Sequence, residues 1–279
     1  MKLATFEDAT GRHTGVVTGD TITPTGIAGS MVDLIAQWEQ REAEVLRNTR
    51  SAQAVPLASV QLLAPVLRPG KVFAIGLNYA DHIAESQMAT PEHQVWFTKA
   101  VTSINGPYSP ILVGRTGPFV DYEIELVAII GKPGKHISRE RAHEHVFGYC
   151  VGNDVTERLW QHSTPQWSLG KSFDTHAPIG PWITTADEIP DPHNLALRCF
   201  VNGEQRQASN TKHLVFDVWA QIAHLSQAMT LEPGDVIFTG TPAGIGATMD
   251  PRQFLKPGDV LRSEIDGLGV MEATLVAEA

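Results

Sequence analysis

Cysteine is scarce in this 279-residue chain. There are two, Cys150 and Cys199, each inside an apolar segment and neither in a C-x-x-C pair. That excludes a thiolate zinc site or dithiol redox motif of the usual spacing, and buried free thiols in a reducing compartment are the expectation. Basic residues are also in deficit, with 21 Lys and Arg against 31 Asp and Glu and a formal net charge of −10. No block of like charge stands out, so nucleic acid and anionic membrane are poor partners. A small anionic substrate stays open, because a bound cation can dominate its local field. No run approaches the ~18 apolar residues of a membrane span. The opening MKLATFEDATGRH has no apolar stretch of the secretory type. A cytoplasmic location is the resulting expectation.

Several motifs are missing too. There is no G-x-S-x-G nucleophile elbow and no G-x-G-x-x-G after a strand. GKS at 170–172 resembles the end of a phosphate-binding loop, but Pro165 stands where that loop needs its first glycine. HEH at 143–145 lacks the i,i+4 spacing of a zinc helix and reads as a solvated turn.

What is present is a succession of short apolar runs. KVFAIGLNY, SPILVGR, ELVAIIGK, VFGYCVGND, ALRCFVNG, GDVIFTG and GDVLRSEI are separated by Gly, Pro and Asp. Their length and β-branched content predict strands. KLATFED and HTGVVTG predict a pair of strands at the start, followed by a helix over 31–46 with Leu34, Ile35 and Trp38 on one side. A second helix is expected within 215–229. Strand and helix do not alternate regularly, which argues against a doubly wound or α/β-barrel fold. The expected class is α+β, a mixed sheet or rolled sandwich. A small N-terminal domain is placed at 1–64 and the main domain at 65–279.

One stretch raises a chemical question. In VDYEIELVAII (120–130), Asp121, Glu123 and Glu125 occupy alternate positions ahead of a wholly apolar run. Alternate residues of a strand share a face, and carboxylates beside a buried run need compensation. The apolar run 146–152 ends abruptly in Asn153-Asp154. If the two strands are neighbours, Glu123, Glu125 and Asp154 meet at one end of the sheet. Three carboxylates without His or Cys suit a hard divalent cation, Mg²⁺, Mn²⁺ or Ca²⁺. Asp121, close to Pro118 and Phe119, is assigned to a turn. In NYADHIAES, His82 and Glu85 are three apart and share a face on a helical turn. They can act as an oriented general base or be a surface pair, and the segment up to Pro91 would suit a lid. Lys171 lies among aromatics, Gly and Pro. It can stabilise an oxyanion, form a Schiff base, or lie over the sheet with its amine in water. Thr241 sits on the glycine-rich turn of GDVIFTGTPAGIG, which can present backbone N–H groups to an anion.

In their order along the chain, Gly-x-Asn-Tyr with His-x-x-Glu, Glu-x-Glu, Asn-Asp, Gly-Lys-Ser-Phe and Thr-Gly-Thr-Pro-x-Gly resemble the fumarylacetoacetate hydrolase superfamily over about residues 65–277. The resemblance implies a mixed β-sandwich roll, often dimeric, with a smaller N-terminal domain in many members. It implies that Glu123, Glu125 and Asp154 are Mg²⁺ or Ca²⁺ ligands and that His82 and Glu85 activate water. It further implies that Lys171 is the active-site lysine, and that Gln161 and Thr241 contact substrate oxygens. Many relatives follow the aspartate with a small residue, Arg and Asp. Here DVTERLWQ keeps Arg158 but carries Glu157 and Leu159, and Trp160 and His162 are candidates to reshape the pocket wall. The expected activity is hydrolysis of a carbon–carbon bond in a 2,4-dioxo acid such as an acylpyruvate or fumarylpyruvate, releasing pyruvate. The alternatives are oxaloacetate decarboxylation, isomerisation of a 2-oxo acid or hydroxymuconate, a lysine-dependent aldolase, and a non-catalytic metal-binding protein on the same fold.

Overall fold

The computed structural model describes residues 1–86, 89 and 91–279. The apolar run at the heart of the sequence explains the architecture. Strand Ile124–Ile130 is buried along its whole length. Its alternate side chains enter two different cores. Ile124, Leu126, Ala128 and Ile130 join one apolar cluster with Leu197, Leu261 and Met271. Val127 and Ile129 join another with Leu34, Ile35 and Phe147. A strand covered on both faces has no polar side to show, hence the missing alternation.

This strand lies in a 12-stranded mixed sheet. It pairs antiparallel with Val146–Asn153 on one side and Val236–Phe238 on the other. Val236–Phe238 in turn runs parallel to Val72–Gly76. A separate 5-stranded sheet contains Ala196–Val201, Val260–Ile265 and Gly269–Ala277, and it covers the first core. The arrangement is α+β, with few helices beside large mixed sheets.

Residues 1–64 do not build a sheet of their own. Lys2–Asp8 pairs with Ala177–Thr185, so the N-terminal strands prolong the large sheet. The helix expected over 31–46 is two helices, Met31–Ala36 and Trp38–Ser51. Gln37 leaves helical geometry at φ −111°, ψ 16°. The break turns Trp38 edge-on to Phe147, with ring centroids 5.1 Å apart. The sequence has no Gly or Pro to mark the break, and the edge-on aromatic contact is a favourable one that accompanies it.

Both cysteines are buried free thiols. Burial pushes each thiol pKa up to about 12, so neither is a nucleophile. His176, also buried, hydrogen-bonds the Leu112 carbonyl through Nε2 at 2.8 Å and leaves Nδ1 without a partner. Burial lowers its pKa from 6.5 to about 4, the Leu112 carbonyl offsetting only part. As pH falls below 6.5 the unfolded chain binds a proton that the fold refuses. On the order of 3 kcal/mol of stability is thus present above pH 6.5 and lost as pH falls towards 4. His176→Gln is expected to remove this part of the acid sensitivity in urea midpoints taken across that range. Parallel pH profiles for variant and wild type would contradict a neutral, buried His176.

Candidate metal centre and active site

Four neighbouring strands of the large sheet bring their functional ends to one edge. Ile124 pairs with Asn153 and Glu125 with Gly152, so Asp154 emerges where Glu123 enters. Asn153 locks the junction. Its Oδ1 accepts the Glu123 N–H at 2.9 Å, and the Asp154 N–H donates to the Glu123 carbonyl at 2.8 Å. Next along, Val236–Phe238 runs into Thr239, Gly240 and Thr241, and the Gly240 N–H donates to Glu125 Oε2 at 2.6 Å. Gly240 has φ +107°, and a Cβ there would come within 2.7 Å of Asn78 Cβ. Only glycine fits both demands. Beyond it, Val72–Gly76 leads to the helix Ala80–Glu85 that carries His82.

The acids converge. Glu123, Glu125 and Asp154 each offer an oxygen within 4.8 Å of the others, and all three are buried. The expected strand is nevertheless broken. Val120–Asp121 pairs with Thr156–Glu157, and Ile124 opens the next strand, leaving Glu123 between them. Asp121 is not a loop acid. It is fully buried, accepts the Gly246 and Ala247 N–H groups at 2.8 and 2.9 Å, and is bonded by Arg158 Nε at 2.9 Å.

Three cations surround these carboxylates. Lys171 Nζ lies 2.7 Å from both Glu123 Oε2 and Asp154 Oδ2. Arg158 Nη1 is 2.6 Å from Glu123 Oε1, and Lys99 Nζ is 2.5 Å from Asp154 Oδ1. Lys171 is delivered by the turn after Trp167–Leu169. A Cβ on Gly170 would lie 2.2 Å from the Gln161 backbone nitrogen, so that turn can press against the helix Arg158–His162 only as glycine.

The compensation is uneven. Burial alone would raise the Glu123 pKa, but the Lys171 ammonium and Arg158 guanidinium bring it down to about 2. Glu125 goes the other way. Burial and the nearby Asp154 and Glu123 carboxylates push it well above the usual range, with Lys171 and the Gly240 N–H offsetting part. Burial likewise lowers Lys99 despite Asp154, whereas Asp154 and Glu123 outweigh burial at Lys171 and raise it. A buried carboxyl short of positive charge, in a set of three hard oxygen donors, fits a divalent cation. Glu123, Glu125 and Asp154 are the residues that would hold it.

A cavity of about 430 Å³ opens beside this cluster. His82, Glu85, Glu123, Arg158, Gln161, His162, Lys171 and Thr241 all line it. His82 is buried rather than part of an exposed pair. Its Nδ1 is 3.6 Å from Glu85 Oε2, an ion-pair distance rather than a hydrogen bond. Glu85 is fixed by the Gly244 N–H, 3.1 Å from each oxygen. Gln161 Oε1 accepts from Arg158 Nη1 at 3.0 Å, and Thr241 Oγ1 accepts from Gln207 Nε2 at 2.8 Å. On the helix Arg158–His162, positions 158, 161 and 162 face the cavity, as i, i+3 and i+4 spacing requires. Leu159 is 54% exposed, and Trp160 donates outward to the Thr116 carbonyl at 3.2 Å. His162 therefore shapes the wall and Trp160 does not. Glu157 has a structural task, capping this helix through the Trp160 N–H at 2.7 Å. The lid suggested for the stretch up to Pro91 falls partly on Gln87, Met88 and Thr90, outside the described residues.

Two participants escaped the sequence reading. Lys99 is a lone lysine after strand Val95–Thr98, and its partner Asp154 is 55 positions away. No local pattern announces it. Asp121 had a signal, its phase with Glu123 and Glu125, which the adjacent Pro118 obscured.

Comparison with known proteins identifies the family. The family model described as fumarylacetoacetate (FAA) hydrolase C-terminal matches residues 71–276. The chain is 44% identical over 262 residues to oxaloacetate tautomerase Fahd2a of Rattus norvegicus, covering 88% of this chain and 84% of that protein. It is 43% identical over 266 residues to its Homo sapiens counterpart FAHD2A, covering 94% and 84%. Among solved structures, maleylpyruvate hydrolase from Sphingobium sp. SYK-6 in complex with manganese(II) ion and pyruvate superposes with a TM-score of 0.86 at 34% identity over the whole of both chains. Fumarylacetoacetate hydrolase from Exiguobacterium antarcticum gives 0.89 at 38%, again over the whole of both. The expected cytoplasmic location is overturned, since the rat and human relatives are named as mitochondrial. A missing secretory-type apolar stretch could not decide this, because organelle-targeting segments are amphipathic rather than apolar. With the family model spanning most of its length and whole-chain agreement with solved enzymes, this chain belongs to the fumarylacetoacetate hydrolase superfamily and is an enzyme of it.

Proposed function

We propose that the protein catalyses keto–enol tautomerisation of oxaloacetate or a close 2-oxo acid, with a divalent cation held by Glu123, Glu125 and Asp154. The observation that carries this reading is the buried three-carboxylate cluster with one acid short of compensation, opening on a cavity that His82, Glu85 and Lys171 share. The rat and human relatives named for this reaction support tautomerisation over the hydrolysis expected first from sequence. When bound, the cation supplies Lewis acidity towards the 2-oxo group and its carboxylate.

The protein's own groups do the rest. His82 takes the proton from C3, and Glu85, held by the Gly244 N–H, stabilises the resulting imidazolium. Lys171 donates a hydrogen bond to the oxygen on C2 as negative charge builds there, and the proton taken up by His82 is passed to that oxygen to complete the enol, leaving both side chains as they began. Gln161, held through Oε1 by Arg158, can donate from Nε2 to the adjacent carboxylate. No bond to carbon other than C3–H is broken. The test is loss of oxaloacetate enol absorbance with and without chelator, with a parallel assay for pyruvate. Chelator-sensitive decay without pyruvate is expected. Pyruvate formed in step with the decay would replace tautomerisation by decarboxylation.

Hydrolysis of a 2,4-dioxo acid is the second reading, favoured by the same His82–Glu85 pair, which can activate water instead. In either case His82→Ala is expected to cost ~10²–10⁴-fold in kcat. Decarboxylation needs no base and should survive the change. Unaltered tautomerisation and hydrolysis in this variant would remove His82 from its role.

A further inference from the structure

The cavity has an acidic end and a basic end. At the acidic end, Lys171 and Arg158 are already engaged by Glu123, Asp154 and Asp121. Arg252, also on the cavity wall, has no carboxylate within 4.0 Å among the described residues. It shares the cavity wall with His162, whose imidazole pKa is lowered by burial, with Arg158, Lys171 and Arg252 adding to the effect.

Arg252 is exposed but its frame is fixed. The Gln253 N–H donates to the Gly246 carbonyl at 3.0 Å, and the Leu255 N–H donates to the Val120 carbonyl at 2.7 Å. Phe254 packs on Phe119 with ring centroids 5.0 Å apart. The Gly246 and Ala247 N–H groups hold Asp121, which holds Arg158. One small network thus positions the committed guanidinium at the floor and the uncommitted one at the rim.

We propose that Arg252, with His162 on the same cavity wall, receives a second carboxylate at the far end of the substrate, so that the enzyme selects 2-oxo dicarboxylates over 2-oxo monocarboxylates. This rests on the proposed 2-oxo acid reading, since the near carboxylate is taken to lie by the cation site. A planar guanidinium suits a carboxylate bidentately, and a lysine at the same place would supply only a point charge.

The test separates recognition from chemistry. Binding of 2-oxoglutarate and of 2-oxovalerate, which carries a methyl group where 2-oxoglutarate has its distal carboxylate, is measured by calorimetry on the Mg²⁺-loaded wild type, Arg252→Gln and Arg252→Lys. Oxaloacetate tautomerisation is followed on the same samples. The wild type should prefer 2-oxoglutarate by about tenfold, equivalent to ~1.4 kcal/mol. Arg252→Gln should erase that preference by weakening 2-oxoglutarate alone, and Arg252→Lys should restore part of it. No preference in the wild type, or equal losses for both ligands in Arg252→Gln, would overturn the proposal. A preference that disappears in Arg252→Gln while the wild type fails to tautomerise oxaloacetate would uphold the subsite and sink the reaction instead.

Discussion

Replacing Glu125 with glutamine is expected to abolish divalent-cation binding and to lower turnover by at least ~10³-fold, the several kcal/mol of charge stabilisation a Lewis-acid cation supplies. The fold should survive, since glutamine keeps the shape and still offers an oxygen to the Gly240 N–H. The effect is large because of where the residue stands. Glu123 is matched by Lys171 and Arg158, and Asp154 by Lys171 and Lys99. Glu125 has one backbone N–H and no directly paired side-chain cation among the described residues. It is the acid of the cluster that the protein leaves without a cation of its own, and so the one the proposed divalent cation would compensate. Calorimetric Mn²⁺ titration and circular dichroism of the variant check both halves. A folded Glu125→Gln protein that binds Mn²⁺ as the wild type does would show that the cation lies elsewhere.

Lys171→Met is the second large change, and it acts on stability and activity together. The ammonium is 2% exposed and bridges Glu123 and Asp154. Removing one partner of a buried ion pair strands the other, at a cost of ~3–5 kcal/mol. Here two carboxylates are stranded, with Arg158 and Lys99 still attached to their other oxygens. Urea denaturation of the chelated protein should register the loss. Mn²⁺ should recover part of it, because the cation's candidate oxygens are among those that Lys171 holds. Turnover should remain ~10²–10³-fold down even with Mn²⁺, for want of the donor to the developing oxyanion. Wild-type turnover in a stable Lys171→Met protein would remove the lysine from the mechanism.

How much of this could be read in the sequence depended on the range of the interaction. Burial of Ile124–Ile130 on both faces was visible because it is written in consecutive residues, and the α+β class followed from runs of that kind. The helical turn that brings His82 towards Glu85 was equally local. That Asp154 would meet Glu123 and Glu125 needed one assumption, that two apolar runs are neighbours, and the antiparallel register supplies it. Lys99 could not be found, since its burial and its pairing with Asp154 arise only when Val95–Thr98 takes the edge next to Val72–Gly76. The break at Gln37 carries no local mark either, and the residue that follows it, Trp38, packs on Phe147, far along the chain. Asp121 was misplaced by local cues that favoured a turn, although its partner Arg158 lies only 37 positions away.

The most direct test of the account is oxaloacetate tautomerisation by protein stripped of metal and then titrated with Mn²⁺, with pyruvate assayed throughout. The account predicts negligible activity at the start, recovery that saturates at one equivalent of bound Mn²⁺, no pyruvate in step with turnover, and no recovery in Glu125→Gln. Full tautomerisation by the stripped wild type, unmoved by added Mn²⁺, would contradict it.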